Sequence, residues 1–427
     1  MMLVFIFLLL SILLVDLYGY YGLRTLLRAP RLQRFRRPLL RIYWAVDVLF
    51  LLLSIAWALI IRNSAWPDYV QYRNYFYITG AFMLIFLPKF TFLVFIILDD
   101  LRKLIVWALQ RLSGKIRSFS GKAGRARSSL LLPKAGGILS VLMFFWVLYG
   151  VAYGRFNFRV DAVEIHFETL PDAFDGYRIA HFSDTHLGSF ARTRPVIRGL
   201  EKISDLQADL VIFSGDMVNN EAAEAEPYIR HFSNIASRDG KFTVLGNHDM
   251  GDYRRWYTIE EKEANLQQLE AMKAAMDFTL LRNEHVFIVR GTDSLMLLGI
   301  DNWGLPPFAQ YGDLQQALGP SHDFPFQMLI SHDPSHWRAE VIPATNIQLM
   351  LAGHTHGMQM GIRTPWFSWS PSVYKYPEWN GTYREGQQVL YVNRGFGYLG
   401  FPGRMGMPPE ITLITLRKGQ GAESRGQ

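Results

Sequence analysis

Nine residues with chemistry to offer stand directly behind short apolar runs. Asp184 and His186 follow "YRIAHF", Asp216 follows "ADLVIFSG", and Asn247, His248 and Asp249 follow "KFTVLG". His332 follows "FQMLIS", and His354 and His356 follow "IQLMLAG". Carboxylates and imidazoles together suit borderline divalent cations such as Mn²⁺, Fe²⁺ and Zn²⁺. So many donors exceed what one ion needs, whereas two ions sharing a bridging carboxylate would use them fully. Two metals about 3.5–4 Å apart are the usual clamp for hydrolytic attack on a phosphoester. The chain has no cysteine, so neither disulfides nor thiolate metal sites contribute. All 11 histidines lie after residue 154, which places this chemistry in the C-terminal two-thirds.

The elements that must position these residues are legible around them. Runs of four to six apolar residues, ending in polar clusters, predict strands buried on both faces. "LMLLGIDNWG", "QVLYVNRGFG" and "ITLITLRKG" add three more. Helices are expected at Pro195–Ile203 and Ile259–Met276, the second capped by Thr258 with Glu261 three residues on. Strands alternating with helices predict an α/β fold of layered sheets. Open α/β sheets place their sites just past strand ends. His181 is expected in the core, and His336 at the surface or at a helix start. Arg394 and Arg404 flank the glycine-rich "NRGFGYLGFPGR" and are candidates to contact a phosphate.

In order, "SDTH", "SGDM", "GNHD", "ISHD" and "GHTH" resemble the signature of the calcineurin-like metallophosphoesterases over about residues 160–416. "GHTHGMQ", "YVNRGFG" and "MPPEITLITL" look like its membrane-anchored bacterial branch, which includes pyrophosphatases of UDP-diacylglucosamine. The resemblance implies an αββα sandwich and two divalent ions, Mn²⁺ foremost, with Fe²⁺ or Zn²⁺ as alternatives. It implies that Asp184, His186 and His356 hold the first ion, that Asn247, His332 and His354 hold the second, and that Asp216 bridges. A water acidified by both ions is then the nucleophile, and His248 faces the phosphate as a catalytic residue. Asp249 is expected either to orient His248 or to stiffen the turn. Met358 departs from the pattern, where a glycine is more usual, and is expected to narrow the substrate slot.

The first third of the chain differs in kind. Residues 1–154 hold 19 Lys+Arg against 5 Asp+Glu, and the remainder 25 against 32. The basic charge therefore does not sit on the catalytic part, which speaks against nucleic acid as a partner. Apolar stretches at Met2–Leu23, Leu40–Ile61, Tyr75–Leu98 and Gly137–Tyr153 are expected to span a bilayer as helices. Arg24–Arg41 carries seven arginines and no acid, and Asp99–Gly136 nine basic residues against two Asp. By the positive-inside rule both loops are cytoplasmic, and everything after Gly154 is extracytoplasmic. Asp16, Asp47 and Lys89 interrupt the spans at similar depths. Intramembrane charges are normally paired, so Lys89 is expected to meet one or both carboxylates.

The expected organisation is a transmembrane domain over 1–154, a phosphoesterase domain over 155–418 and a disordered tail over 419–427. The tether favours a lipid-linked phosphodiester or pyrophosphate as substrate. Three tryptophans and three tyrosines in Arg363–Tyr383, behind the metal histidines, suit lipid contact or an ordinary packed loop. A soluble phosphoester, with the membrane only as address, is the alternative. A non-catalytic scaffold fits less well with a full donor set. UDP-diacylglucosamine is made in the cytoplasm, so an outward-facing domain favours an outer-leaflet phospholipid or polyprenyl phosphate instead.

Overall fold

A computed structural model describes residues 2–28, 30–62, 68–112, 130–364 and 366–419. Most of the second basic loop, residues 63–67 and the tail from residue 420 lie outside these residues. The chain divides into two compact units, one of Met1–Ala65 with Ile78–Tyr149 and one of Trp66–Tyr77 with Gly150–Gln427.

The first unit is built on long helices: α1 (Met2–Leu26), α2 (Arg36–Arg62), α3 (Tyr69–Leu112) and α4 (Leu131–Ala152). Among the described residues three segments are long and apolar enough to cross a membrane: Gln33–Leu59, Tyr69–Leu112 and Leu131–Phe156. The remaining expected span falls on α1, whose side chains up to residue 12 lie outside the described residues. At 44 residues α3 runs well past its expected end, about 66 Å at 1.5 Å per residue. Its extension, "LRKLIVWALQRL", is made of good helix formers, so nothing stops the helix after the apolar span. Pro88 interrupts the hydrogen-bond ladder without ending it. Helices approach closely at small residues: a Cβ on Gly22 would lie 2.6 Å from Ile96, and one on Gly136 2.5 Å from Phe95.

The three intramembrane charges meet. The Lys89 ammonium donates to Asp16 at 3.0 Å and to both oxygens of Asp47. It also lies 3.9 Å from the Tyr43 ring centre, and the Tyr43 hydroxyl donates to the Asp16 carbonyl at 2.9 Å. At the same level Ser140 on α4 donates to the Pro88 carbonyl at 2.8 Å. All four helices are thus tied at one depth.

The second unit stacks two six-stranded sheets. The first runs β1 (Arg159–Phe167), β14 (Glu410–Lys418), β2 (Arg178–Phe182), β3 (Leu210–Phe213), β4 (Lys241–Thr243), β5 (Thr279–Leu280). The second runs β12 (Gly381–Glu385), β13 (Gln388–Val392), β9 (Leu349–Ala352), β8 (Gln327–Ile330), β7 (Asp293–Gly299), β6 (Glu284–Arg290). A separate hairpin pairs β10 (Ile362–Thr364) with β11 (Phe367–Trp369). Strands β2 to β5 are mutually parallel, as are β7, β8, β9 and β13. Alternate residues face opposite sides. Ile179, Leu210, Ile212, Leu349 and Leu351 point into the space between the sheets. Ala180, Val211 and Phe213 face the outer layer formed by α5 (Thr193–Asp205), α6 (Ile229–Ser233) and α7 (Ile259–Ala275). Met350 and Val392 face Trp337 and Leu314 on the opposite side. The result is the expected αββα layering. Helix α7 begins as its sequence predicts, with Thr258 accepting from the Glu261 amide at 3.1 Å.

Candidate metal centre

The C-terminal ends of the parallel strands bring the donors together. Asp184, His186, Asp216, His354 and His356 all adopt positive φ, between 42° and 70°. That left-handed region is costly for side-chain-bearing residues and concentrates at functional sites. The glycines of the motifs let these loops pack. A Cβ on Gly246 would lie 2.2 Å from an Asp216 oxygen, and one on Gly353 2.5 Å from Asp184.

Two groups of donors result, Asp184–His186–His356 and Asp216–His332–His354, each with its ligand atoms within 4.8 Å of one another. In the first, the Nε2 atoms of His186 and His356 face each other at 3.0 Å, and His356 Nε2 is 3.3 Å from Asp184 Oδ1. In the second, His332 Nε2 is 3.1 Å from Asp216 Oδ2, and His354 Nδ1 is 2.9 Å from Asn247 Oδ1. Asp216 Oδ2 also lies 3.6 Å from His186, so it stands between the groups. Outer contacts fix the donors. His332 Nδ1 bonds the Ser214 carbonyl at 2.8 Å, and Asp184 accepts from Ser183 and from the His354 amide.

Burial pushes the Asp184 carboxyl up to about 7 and holds His186 at about 3 and His354 at about 4. It also holds His356 well below its ordinary value. Burial opposes the charge on His332 and Asp216 as well. Their mutual attraction nevertheless draws His332 up to about 10 and helps hold Asp216 well below the usual carboxylate range. Imidazoles and carboxylates converging without a lysine or arginine at their centre are the donor set a divalent cation requires. The residues therefore fit two such ions.

His248 lies beside the cluster, its ring 4.9 Å from that of His186 and 4.5 Å from Tyr253. Its Nδ1 is 2.8 Å from the Asn219 carbonyl, and its amide donates to Asp216. Asp249 has a different environment. Its carboxylate accepts from the amides of Asp216, Met217, Val218 and Gly246 and from Lys273 at 3.1 Å. Of the two roles left open for it, this geometry matches stiffening the turn. Arg394 and Arg404 are both buried. Arg394 pairs with Asp161 and Glu410, and Arg404 donates to the carbonyls of Arg394, Gly395 and Gly397. Neither guanidinium points to a free anion site. Arg404 instead lies 3.2 Å from His356 Nδ1, under the donor cluster. His181 is in the core, bonded to Ser214. His336 begins a helical turn, as expected, but is fully buried between Ser331 and Glu340.

A cleft of about 320 Å³ opens over Asp216, Asn247, His248 and His354. Four of its other walls were not evident in the sequence. The Tyr376 hydroxyl is 2.8 Å from His354 Nε2, and Tyr253 accepts from Asn247 at 2.9 Å. Lys375 lies 4.5 Å from the centre of the Phe308 ring. Aromatic residues in long connections carry no spacing signal. Met358 lines the cleft at φ 44°, a backbone setting that explains why glycine is the expected residue.

Residues 177–358 match the family described as "Calcineurin-like phosphoesterase". Residues 1–155 match "Probable Calcineurin-like phosphoesterase, transmembrane domain". The chain is 28% identical over 264 residues to the uncharacterized metallophosphoesterase YkuE of Bacillus subtilis, covering 58% of this chain and 82% of that one. It is 24% identical over 363 residues to an uncharacterized metallophosphoesterase of Helicobacter pylori, 84% of this chain and 88% of that one. A "Transmembrane protein with metallophosphoesterase domain" of Danio rerio is 27% identical over 279 residues, 64% of this chain but only 60% of its own length.

Proposed function

Because the chain belongs to the calcineurin-like metallophosphoesterases and carries their transmembrane domain, we propose that it hydrolyses a phosphodiester or pyrophosphate of a lipid-linked substrate. The observation that carries this is the convergence of two donor groups on a carboxylate between them, at the floor of one cleft. Asp184, His186 and His356 would hold one ion, and Asn247, His332 and His354 the other, with Asp216 bridging. Two divalent ions bound there, Mn²⁺ foremost, would supply Lewis acidity and a water acidified to be a nucleophile at neutral pH. His248, fixed through Nδ1 to the Asn219 carbonyl, lines the cleft. From there it stabilises charge on the phosphoryl group and serves as general acid to the leaving oxygen. Asp249 and Lys273 hold the loop that carries Asp216.

The membrane part ends near residue 154, and its basic loops favour an extracytoplasmic catalytic domain. Reporter fusions after residue 154 test that side: activity only in the cytoplasm would reverse it. Substrate class is tested with purified full-length protein, loaded in turn with Mn²⁺, Fe²⁺ and Zn²⁺, on a panel of lipid-linked and soluble phosphoesters. Turnover of soluble esters alone would refute a lipid-linked substrate.

A further inference from the structure

The hairpin β10–β11 is amphipathic the wrong way round for a water-facing structure. Its register pairs Ile362 with Trp369 and Thr364 with Phe367, which places these four on one face. That face is open: Ile362 is 50% and Phe367 52% exposed, and Trp366 in the turn is 84% exposed. The opposite face carries Arg363, held 2.9 Å from Asp161, and the half-buried Ser368. A soluble surface rarely gathers apolar side chains in this way without a partner.

Two connections say what that partner is. The backbone leading into the hairpin is hydrogen-bonded to Met405, through Gly361 at 2.9 Å and Gln359 at 2.7 Å. The next residue back, Arg404, donates its amide to the carbonyl of Gly150 at 3.1 Å. Gly150 lies in the last turn of α4, within a segment apolar enough to cross a membrane. The hairpin is therefore two hydrogen-bonded steps from a membrane helix end. Met358 and Ser372, which bracket it in sequence, both line the metal cleft. Tryptophan and tyrosine favour the headgroup region of a bilayer, and Tyr374 beside the hairpin is also exposed.

We propose that the hairpin 362–369, led by Trp366 and Phe367, dips into the bilayer interface and seats the mouth of the cleft against it. The phosphoester is then taken from the membrane surface. This deepens the reading of a lipid-linked substrate and rests on it for that last step.

The chain has no cysteine, so single-cysteine variants give clean probes. Trp366→Cys, Phe367→Cys and, as a control on exposed strand β6, Val289→Cys carry a nitroxide label. The full chain is reconstituted in vesicles of equal parts phosphatidylcholine and phosphatidylglycerol. Collision with oxygen should exceed collision with a water-soluble nickel chelate at 366 and 367, and the reverse should hold at 289. Nickel access prevailing at all three positions overturns the proposal. So does dipolar broadening at 366 that vanishes on dilution with unlabelled protein, which would mean that a second copy covers the patch. In parallel, Trp366→Ser with Phe367→Ser should lower kcat/KM on a vesicle-borne phosphoester roughly tenfold. Turnover of soluble bis(p-nitrophenyl) phosphate should be unchanged. Equal loss on both substrates overturns the docking role. The label readout needs no turnover, so a wild-type protein inactive on lipid substrates would count against the proposed function and leave the labels to decide the hairpin.

Discussion

The molecule contains two kinds of buried ionic cluster. In the helical unit Lys89 sits between Asp16 and Asp47, and the protein supplies both signs of charge. In the catalytic unit Asp184 and Asp216 face four imidazoles, and Arg404 meets His356 at Nδ1 rather than at the Nε2 that faces His186. Asp249 shows that the contrast is not one of membrane against water. It lies two residues from Asn247, yet Lys273 and four amides complete it in the manner of the Lys89 triad. A cluster closed by the chain's own cation holds structure. A cluster whose lone pairs converge on one another is built for a cation from outside.

Opening that contrast at its most exposed point should have the largest effect. Asp216→Asn keeps the shape of the residue between the two donor groups and removes its charge. Bound metal, measured by elemental analysis, and turnover should fall together. The loss should exceed the about 10²–10³-fold that removing one transition-state donor costs. Retained metal with lost turnover would mean that Asp216 acts on the substrate instead.

Breaking the closed cluster beside it should act on the fold. Lys273→Met leaves the Asp249 carboxylate buried and uncompensated, a change worth about 3–5 kcal/mol. The catalytic unit should melt earlier, while protein still folded should keep its metal. Metal loss without destabilisation would place Asp249 among the functional donors after all.

His248 belongs to neither kind of cluster. His248→Ala should lower kcat about 10²-fold or more with metal content intact. Parallel loss of metal would make it a ligand.

The same contrast explains how much of the molecule was legible in advance. Strands β3, β8 and β9 are apolar on both faces, so their runs stand out, and the donors behind them could be named. Edge strands β1 and β12 alternate with polar residues and did not stand out, nor did the hairpin. Burial of Arg394 and Arg404 was not legible either. Their glycine-rich surroundings suggest an anion site, but the carboxylates and carbonyls that engage them are distant in sequence or carried by the backbone. Asp249 was ambiguous for the same reason, because Lys273 lies a helix away.

The triad in the helical unit offers the smallest and most discriminating test. Its pairing was expected from depth alone. The ammonium is engaged by the two carboxylates and the Tyr43 ring, and Ser140 donates to the carbonyl of Pro88. Because the triad ties α1, α2 and α3 at one level, Lys89→Met should loosen the helical unit. Hydrogen bonds between membrane helices are worth about 0.6–2 kcal/mol each, because the separated helices also find partners. The expected loss is therefore of that order, read as a lower midpoint of thermal unfolding in lipid nanodiscs. Asp16→Asn with Asp47→Asn in the same chain should recover part of it, since no carboxylate is then left without its cation. Turnover per folded molecule should not change in either variant, as befits a closed cluster. Lost turnover at unchanged stability would mean that the triad serves the reaction, and the distinction between closed and open clusters would not hold for this protein.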